Sequence, residues 1–480
     1  MTISGKRVKK RWMLMFAAMT AVSVSGLFAS SSEGQFDLPN DNLWANIAWM
    51  TTATIFVLMM TPGLSFFYGS MVRAKNVIST MLQSFIVMGA VSVIWVVFGF
   101  SLAFGNDICH IIGNPLDFLM FDGVGVQNVT AAQSERVLTE IDLGVASIPL
   151  ALFALFQMKF AIITPSLITG SFAERVRFSG YLVFMMLWVV IVYCPLAHCT
   201  WHPAGLFASM HVHDFAGGIV VHAASGVAAL AGALFLGRRT PTTDSKPANV
   251  PFVLLGAALL WLGWFGFNGG SSLAADGIAI AAFLNTNTAA ATAMVTWVVF
   301  DCLRGHKPSA MGAAIGAVIG LVAITPCAGW VTVGQSIFIA FATTLCCNMA
   351  VTWKNSARHT FDDALDVFPT HGLGGIIGTV FTGIFAYGFF VRNDGLEISH
   401  TEFFWNHILV VAIVIVYTFI LSYALYWLTD KMIPLRVSRR SEEIGLDRSQ
   451  HDEEYGTEAT TELAEDTVSD SDWLRSVSEN

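Results

Sequence analysis

The sequence predicts an all-α polytopic membrane protein, and two observations lead to this fold class. Of the 480 residues, 55 % are hydrophobic and only 12 % are charged, whereas soluble domains carry about 25 % charged residues. Apolar stretches long enough to cross about 30 Å of hydrocarbon also recur along the chain. We therefore expect membrane lipid as a partner and no nucleic acid.

Eleven apolar stretches form the predicted spans of one domain over residues 31–432. In chain order they lie at 43–72, 77–105, 143–171, 178–200, 215–237, 250–273, 277–303, 308–327, 333–353, 371–391 and 402–430. We number them as spans one to eleven. Gly and Pro inside several of them do not argue against helices, because both residues are more frequent in transmembrane helices than in soluble ones.

The first thirty residues have the pattern of a secretory signal peptide. A cationic segment, MTISGKRVKKRW, precedes a short apolar segment and the small residues ASSS, which is the order that such peptides show. We predict cleavage near residues 29–31. The alternative is an additional, uncleaved helix.

Lys and Arg residues in the connecting loops predict how the spans are oriented. Eleven lie in one alternate set of loops, against Arg136 and Arg392 in the other set. Basic loops face the cytoplasm, so the N-terminus is expected outside and the C-terminus inside a plasma (inner) membrane of prokaryotic type. The eleven basic residues are Arg73, Lys75, Arg175, Arg177, Arg238, Arg239, Lys246, Arg304, Lys307, Lys354 and Arg358.

An odd number of spans with termini on opposite sides suggests five plus five spans and one extra. Five spans per half make the second half inverted relative to the first, and inverted repeats place substrate near the membrane midplane. Span five should then correspond to span ten. Span five begins with Asp214 and carries His222, while span ten is preceded by Asp366 and begins with His371.

The two histidines are the candidate pore residues. A histidine within an apolar span can be a packing residue that a neighbour satisfies, and that alternative stays open for each histidine taken alone. Ionisable residues inside membranes usually mark a permeation or proton path. Their matched positions in corresponding spans favour the path.

Five sequence stretches resemble the signature stretches of one protein family and occur in the same order as in that family. They are PGLSFFYGSMVRAKNV (62–77), SFAERVRFSGYLVF (171–184), DFAGGIVVH (214–222), WFGFNGGS (264–271) and FDDALDVFPTHG (361–372). They resemble the signature stretches of the Amt/Mep ammonium transporters, which are related to the Rhesus proteins. The resemblance implies an Amt-like homotrimer in which each eleven-helix subunit has its own pore.

The resemblance also implies the site. Trp201, Ser271 and Phe160 would recruit ammonium at the outer end. Asp214 would be buried nearby and would cap span five, attract the cation, or do both. Phe160 and Phe267 would form a stacked gate, and His222 and His371 would line a narrow apolar lumen. Without the resemblance, Trp201 and Phe160 would be taken for an interfacial aromatic belt or for packing residues.

The implied function is ammonium transport for nitrogen uptake. Ammonium would be deprotonated near the gate, conducted as ammonia, and reprotonated inside, with the proton crossing separately so that transport is electrogenic. One alternative is an ammonium sensor of the same fold with little conduction. Another is a gas channel like the Rhesus proteins, against which Trp201 and Ser271 argue. No nucleophile–base set or cofactor motif appears, so neither an enzyme nor a cofactor is expected.

Three features depart from the family pattern. Lys159 stands beside Phe160 where relatives carry a neutral residue; it either faces a subunit interface or the outer surface, or it alters conduction. Ser70 replaces the second glycine of the usual FYGG stretch. His198, His202, His211 and His213 cluster in sequence, but their irregular spacing makes a metal site a weak alternative, and none is expected.

The C-terminal region has two parts. Residues 433–456 resemble the family's cytoplasmic regulatory region, which receives PII-type proteins. Residues 457–480 are acidic and polar, so we expect disorder. The net charge of −9 comes from this end of the chain, because thirteen acidic and two basic residues lie in 441–480. The seven cysteines lack CxxC spacing and are interpreted as packing residues.

Overall fold

A computed structural model describes residues 43–124, 148–241, 246–356 and 361–456, together with isolated positions 17 and 21. The predicted signal peptide (1–30) and acidic tail (457–480) therefore lie outside the described residues, apart from these two positions. In the described part the fold is helical, as predicted.

Nine helices of the described part are long and apolar enough to cross a membrane. A tenth candidate is a bent pair, Phe368–Phe385 and Tyr387–Asn393, whose parts meet at 49°. The shorter apolar helix Ala310–Ile324 occupies the position of predicted span eight. The nine are Leu43–Met71, Ala74–Phe104, Leu150–Ser171, Phe178–Ser209, Gly218–Leu236, Val250–Ser272, Gly277–Leu303, Val333–Asn355 and His400–Met432. A count of eleven spans is compatible with these elements.

Several spans contain a π-helical turn. Two of them, Trp95–Gly99 and Val189–Tyr193, interrupt spans two and four. The other two, Gly218–Ala223 and Phe368–Gly372, begin spans five and ten and carry His222 and His371. Such turns are rare and appear frequently at functional sites.

Corresponding spans of the two predicted halves pack together in the core. Spans one and six lie so close that a Cβ on Gly256 would stand 2.4 Å from the backbone nitrogen of Phe67. Spans five and ten also touch: a Cβ on Gly226 would lie 2.1 Å from the Cα of Gly372. The small residues of both histidine-bearing spans therefore allow this contact.

Short elements cover one end of the bundle. An antiparallel pair, Asp107–Ile108 with Ile112–Gly113, lies near the short helix Leu206–Ser209, and Leu206 donates its N–H to the carbonyl of His110. The described cysteines are all free of disulfides. Four of them (Cys194, Cys199, Cys327 and Cys347) are buried as packing residues, whereas Cys109, Cys302 and Cys346 are exposed.

The C-terminal segment 433–456 folds back onto the opposite end of the bundle. It contains the short helix Arg439–Ile444 and the π-helical turn Asp447–His451. The Asp447 carboxylate accepts the N–H groups of Ile78 and Ser79 at 3.0 and 2.7 Å. These contacts cap the N-terminal end of the helix in span two.

The segment also reaches the loop after span five. Glu442 binds Arg436 at 2.7 Å and accepts both the N–H and the hydroxyl of Thr240. Gln450 accepts the N–H of Phe178 at 2.9 Å. Loops from three parts of the first half are thus held by one short segment.

Candidate functional site

The Asp214 carboxylate organises the start of span five. Its Oδ1 accepts the N–H groups of Gly217 and Gly218 at 2.8 and 2.7 Å, and its Oδ2 accepts those of Ile219 and Val220 at 2.7 and 3.2 Å. Gly217 has a φ of +120°, which suits glycine and brings these four donors toward one side chain. Burial raises the pKa of Asp214, and the four N–H donors partly offset that rise. Asp214 is therefore a helix cap, one of the two roles that the sequence left open.

His222 and His371 lie face to face in the core. Their Nδ1 atoms are 3.3 Å apart, so one ring donates a hydrogen bond to the other. The ring centroids are separated by 5.4 Å at an interplanar angle of 27°, and both residues are almost fully buried. The Nε2 of His222 has no hydrogen-bond partner among the described residues. The hydrogen bond between the two rings thus offsets part of the desolvation cost of burying an imidazole. It leaves Nε2 of His222 as a buried polar atom without a partner among the described residues.

A narrow apolar cavity surrounds the histidine pair. It leaves about 10 Å³ of free space, which is room for roughly one water-sized molecule. Apart from the histidines its walls are hydrophobic: Met60, Leu64, Phe67, Ile163, Leu167, Val221, Leu260, Trp264, Phe267 and Val318. A passage of this width and polarity can hold a small neutral molecule and disfavours an ion.

Phe160 and Phe267 lie stacked beside the cavity. Their ring centroids are 4.2 Å apart with an interplanar angle of 25°, and both side chains are buried. Phe267 is itself part of the cavity wall and lies 6.0 Å from the ring of His222. The stacked pair therefore adjoins one end of the cavity through Phe267. We call this the outer end, following the predicted orientation, and the opposite end the inner end.

Trp201 and Ser271 stand next to the paired phenylalanines. The Trp201 ring meets Phe160 edge to face at 5.9 Å, and its indole N–H donates to the backbone carbonyl of Asp214 at 2.9 Å. The Ser271 hydroxyl donates to the carbonyl of Phe267 at 2.8 Å. Unlike the buried rings below them, Trp201 and Ser271 are only half-buried. The structure thus connects all the predicted site residues through shared contacts.

Two aromatic residues of this site were missed by the sequence reasoning. Phe156 meets Phe160 edge to face at 4.9 Å, and Trp264 stacks at 5.4 Å on His222 while its indole N–H donates to the Thr325 hydroxyl. A signal existed for both. Phe156 lies four residues before Phe160, and Trp264 lies three residues before Phe267. Residues at these spacings are neighbours on one face of a helix.

Lys159 is largely covered by its own subunit. Only 9 % of its surface is exposed, and its ammonium lies 3.7 Å from the Met158 sulfur. Within the described residues no carboxylate pairs with it. This burial argues against the expectation that Lys159 reaches the outer surface or faces a neighbouring subunit.

The outer histidines have separate partners. His198 donates through Nε2 to the Asp107 carboxylate at 2.9 Å and stacks on His202 at 4.3 Å. His213 stacks on Phe390 at 3.8 Å, and its backbone N–H donates to Nε2 of His407 at 3.2 Å. Across the described residues no group of three or more His, Cys, Asp or Glu side chains is arranged to hold a metal ion.

The inner end carries a second histidine-bearing segment that begins with a capping aspartate. Here the structure corrects the predicted correspondence between Asp214 and Asp366. Asp363, rather than Asp366, is the counterpart of Asp214, because it too precedes its histidine by eight residues and accepts the N–H of Phe368 at 2.8 Å. Asp366 instead pairs with Lys354, whose Nζ lies 2.6 Å from its Oδ1. The same Nζ donates to the backbone carbonyl of Asp363.

Fold and site together define a helical membrane protein with an aromatic-capped, histidine-lined lumen, which is the architecture of a channel-like transporter. The family model described as Ammonium Transporter Family matches residues 48–455. The chain belongs to this family.

Similar proteins agree with this assignment. The ammonium transporter of Bacillus subtilis is 41 % identical over 84 % of this chain and 96 % of its own length. The crystal structure of Candida albicans Mep2 superposes with a TM-score of 0.74 at 32 % identity, over 85 % of this chain and 88 % of that one. A structure titled Sensor Amt Protein matches with a TM-score of 0.74 at 28 % identity, over 86 % of this chain and all of that one.

Proposed function

We propose that this protein transports ammonium by conducting ammonia through the histidine-lined cavity. Ammonium is recruited at the outer end, deprotonated near Phe160 and Phe267, and reprotonated at the inner end. The observation that carries the proposal is the stacked phenylalanine pair directly over an apolar cavity that contains His222 and His371. Dehydrating an ion in such a cavity costs far more than admitting a neutral molecule.

The outer end has the chemistry that a recruitment site for ammonium requires. The faces of Trp201 and Phe160 attract a cation. The Ser271 hydroxyl donates to the Phe267 carbonyl and keeps lone pairs that can accept an ammonium N–H. Potassium has no N–H to donate, so this hydroxyl favours ammonium. The buried Asp214 adds a negative charge behind Trp201.

The histidine pair supplies polar contacts for ammonia. Because one Nδ1 donates to the other, the two rings hold complementary hydrogen-bonding states. The partnerless Nε2 of His222 is available to a guest molecule. The proton crosses by a separate route, so transport is electrogenic.

A sensor with little conduction is the second candidate. One observation in its favour is Lys159, which precedes Phe160, is buried and has no carboxylate partner among the described residues. The other is the similarity to the structure titled Sensor Amt Protein. A positive charge here raises the barrier for a second cation to approach. The two candidates share a binding site and differ in flux.

The experiment that separates them measures transient currents in proteoliposomes after an ammonium pulse, with a potassium pulse as the control. We expect an ammonium-specific current that is absent from protein-free vesicles. Binding of ammonium without current or uptake would replace transport with the sensor function. Equal responses to both ions would contradict the proposed recruitment site.

The proposal includes the plasma-membrane location, the cytoplasmic C-terminus and the homotrimer. It also includes a PII-type partner at the inner face, where a cavity of about 750 Å³ is lined by Arg238, Arg239, Lys354, Arg436 and Arg439 among others. Native mass spectrometry in detergent tests the trimer. Co-purification with a PII-type protein, compared between the wild type and Arg238→Glu, tests the partner, and equal recovery with both would exclude this cavity.

A further inference from the structure

The segment that leads into span ten contains a buried carboxylate with one unpaired oxygen. Asp363 is fully buried, and its Oδ2 accepts the Phe368 N–H. Its Oδ1 is buried and has no hydrogen-bond partner among the described residues. A buried carboxylate oxygen without a partner costs free energy, and adding a proton or a guest with an N–H removes that cost.

The sequence explains why this cap is incomplete. Asp214 binds the N–H groups three to six positions ahead, but the residue six positions after Asp363 is Pro369, which has no N–H. The N–H three positions ahead, on Asp366, points to the carbonyl of Asp363 instead. The inner carboxylate therefore cannot be saturated as the outer one is.

Residues beside Asp363 connect it to the narrow cavity and to a larger one. On the cavity side, its charge interacts with Tyr68, which follows the wall residue Phe67 and donates its hydroxyl to the carbonyl of the wall residue Leu167. On the other side, the neighbours Asp362, Ala364 and Leu365 line a cavity of about 310 Å³. Asp363 itself lines neither cavity, but its chain neighbours border the larger one and Tyr68 connects it to the wall of the narrow one.

Three charged side chains set the electrostatics of this carboxylate. Burial raises the pKa of Asp363 to about 6. Lys354 and the backbone N–H groups of Phe368 and Val367 lower it, and Asp366 raises it. Arg175 also interacts with Asp363 by charge, and Arg239 interacts with Asp366. The charged and titratable groups that surround the carboxylate are Tyr68, Arg175, Arg239, Lys354, Asp362 and Asp366.

We propose that Asp363 is a proton-exchange residue at the inner end of the conduction path. The inference rests on the proposed transport function. The protonated carboxyl transfers its proton to the lone pair of ammonia, which gives ammonium and a carboxylate, and the carboxylate takes up a proton from cytoplasmic water. Lys354 and Asp366 act as positioning residues, because they set the charge around the carboxyl without being assigned contact with ammonia.

The test uses three substitutions with different expected results. The full-length protein is reconstituted, and the ammonium current is measured as the internal pH varies between 5 and 8. Because protonated Asp363 becomes scarce above about pH 6, we expect the wild-type current to decline through that range. Asp363→Asn keeps an oxygen for the Phe368 N–H but cannot titrate, so the decline disappears.

The other two substitutions shift the profile in opposite directions. Lys354→Met removes the cation and moves the midpoint to higher pH, whereas Asp366→Asn removes the anion and moves it to lower pH, each by about one unit. Lys354→Arg is the control and retains the wild-type midpoint. A purely structural role for the three residues predicts lower currents without opposed shifts, and that result would overturn the inference.

Infrared difference spectroscopy gives an independent readout. A protonated carboxylic acid band should appear in the wild type as the pH falls through about 6 and be absent from Asp363→Asn. Its persistence in that variant excludes Asp363, whether or not the protein conducts. A wild type that titrates without current would contradict the proposed transport but not the assignment of the titrating group. If Asp363→Asn does not fold, the inference is tested by the opposed shifts that Lys354→Met and Asp366→Asn cause in the pH midpoint of the current.

Discussion

The two histidine-bearing segments share a motif but differ in how many hydrogen bonds their capping aspartate accepts. In each, an aspartate precedes the histidine by eight residues, and the histidine lies in a π-helical turn. The outer Asp214 uses both oxygens on four N–H groups, while one oxygen of the inner Asp363 has no described partner. The same motif therefore yields a saturated structural cap at one end and an unsaturated carboxylate at the other.

Charge distinguishes the two ends as well. The outer half holds Lys159 without a described carboxylate partner, whereas the inner half holds Lys354 between the Asp366 carboxylate and the Asp363 carbonyl. A lysine that is paired can tune a neighbouring acid, while an unpaired one acts on whatever cation approaches. The difference teaches that two segments with the same Asp–His spacing can differ in chemistry, because other side chains determine how each carboxylate is satisfied.

The largest expected effect separates the two caps by stability. Asp214→Ala leaves four buried N–H groups without their acceptor, at about 1–3 kcal/mol each before relaxation, so we expect a loss of several kcal/mol. Asp363→Ala removes the acceptor of the Phe368 N–H and costs about 1–2 kcal/mol. Thermal unfolding in detergent, followed by size-exclusion chromatography, measures both. Equal losses for the two variants would mean that the caps are energetically equivalent.

The next effect concerns the histidines that the two caps support. Alanine at His222 or His371 removes the Nδ1 hydrogen bond and widens the cavity, so ammonium selectivity over potassium should fall about tenfold or more, which corresponds to about 1.4 kcal/mol. The ratio of ammonium to potassium current in proteoliposomes measures the loss. Val318→Ala widens the same cavity without removing a polar group and is the matched control. Wild-type selectivity in both histidine variants would exclude the pair from the pore.

Much of this comparison was accessible from the sequence. The spans followed from apolar length, and the correspondence of spans five and ten followed from their histidines and the odd span count. The number of hydrogen bonds at each aspartate did not follow, because it depends on Gly217 at φ +120° and on the missing N–H of Pro369. The sequence reasoning paired Asp366 with Asp214 because it is the nearest acid before His371.

The burial of Lys159 also escaped the sequence. Helical periodicity puts Lys159 one position from Phe160 but does not reveal which neighbouring span covers it, since that depends on tertiary packing. The same limit applies to Phe156 and Trp264, whose ring contacts come from packing between spans. The signature stretches in the sequence predict which residues belong to the site. The contacts that these residues make between spans can be seen only in the structure.

A smaller effect is expected at the outer lysine. Lys159→Met removes the unpaired cation and should lower the ammonium concentration for half-maximal current by roughly three- to tenfold, because a cation some ångströms away repels another by about 1 kcal/mol in a partly solvated site. Lys159→Arg keeps the charge and serves as the control. If the two variants give the same concentration dependence, side-chain shape rather than charge governs this position.

The smallest effect tests how the C-terminal segment holds the first half. Burial pushes the pKa of Glu442 up, but hydrogen bonds from Arg436 and Thr240 outweigh it and leave the pKa below its usual value. A lowered pKa contributes stability above the unfolded value of about 4.5, and this contribution is lost as the pH falls through the lower folded value. Glu442→Gln should therefore weaken the attachment at pH 7 by about 1 kcal/mol or less, since Arg436 remains partly exposed.

Limited proteolysis of segment 433–456 measures this attachment. At pH 7 we expect faster cleavage in Glu442→Gln than in the wild type, and the difference should shrink as the pH falls below about 4.5 toward the lowered folded pKa. Glu443→Gln is the matched control, because the Glu443 side chain is exposed and pairs with Arg439 on the same short helix. A difference that stays constant down to pH 4 would show that the glutamate acts through its shape rather than its charge, and the segment would then be held by Asp447 and Gln450 instead.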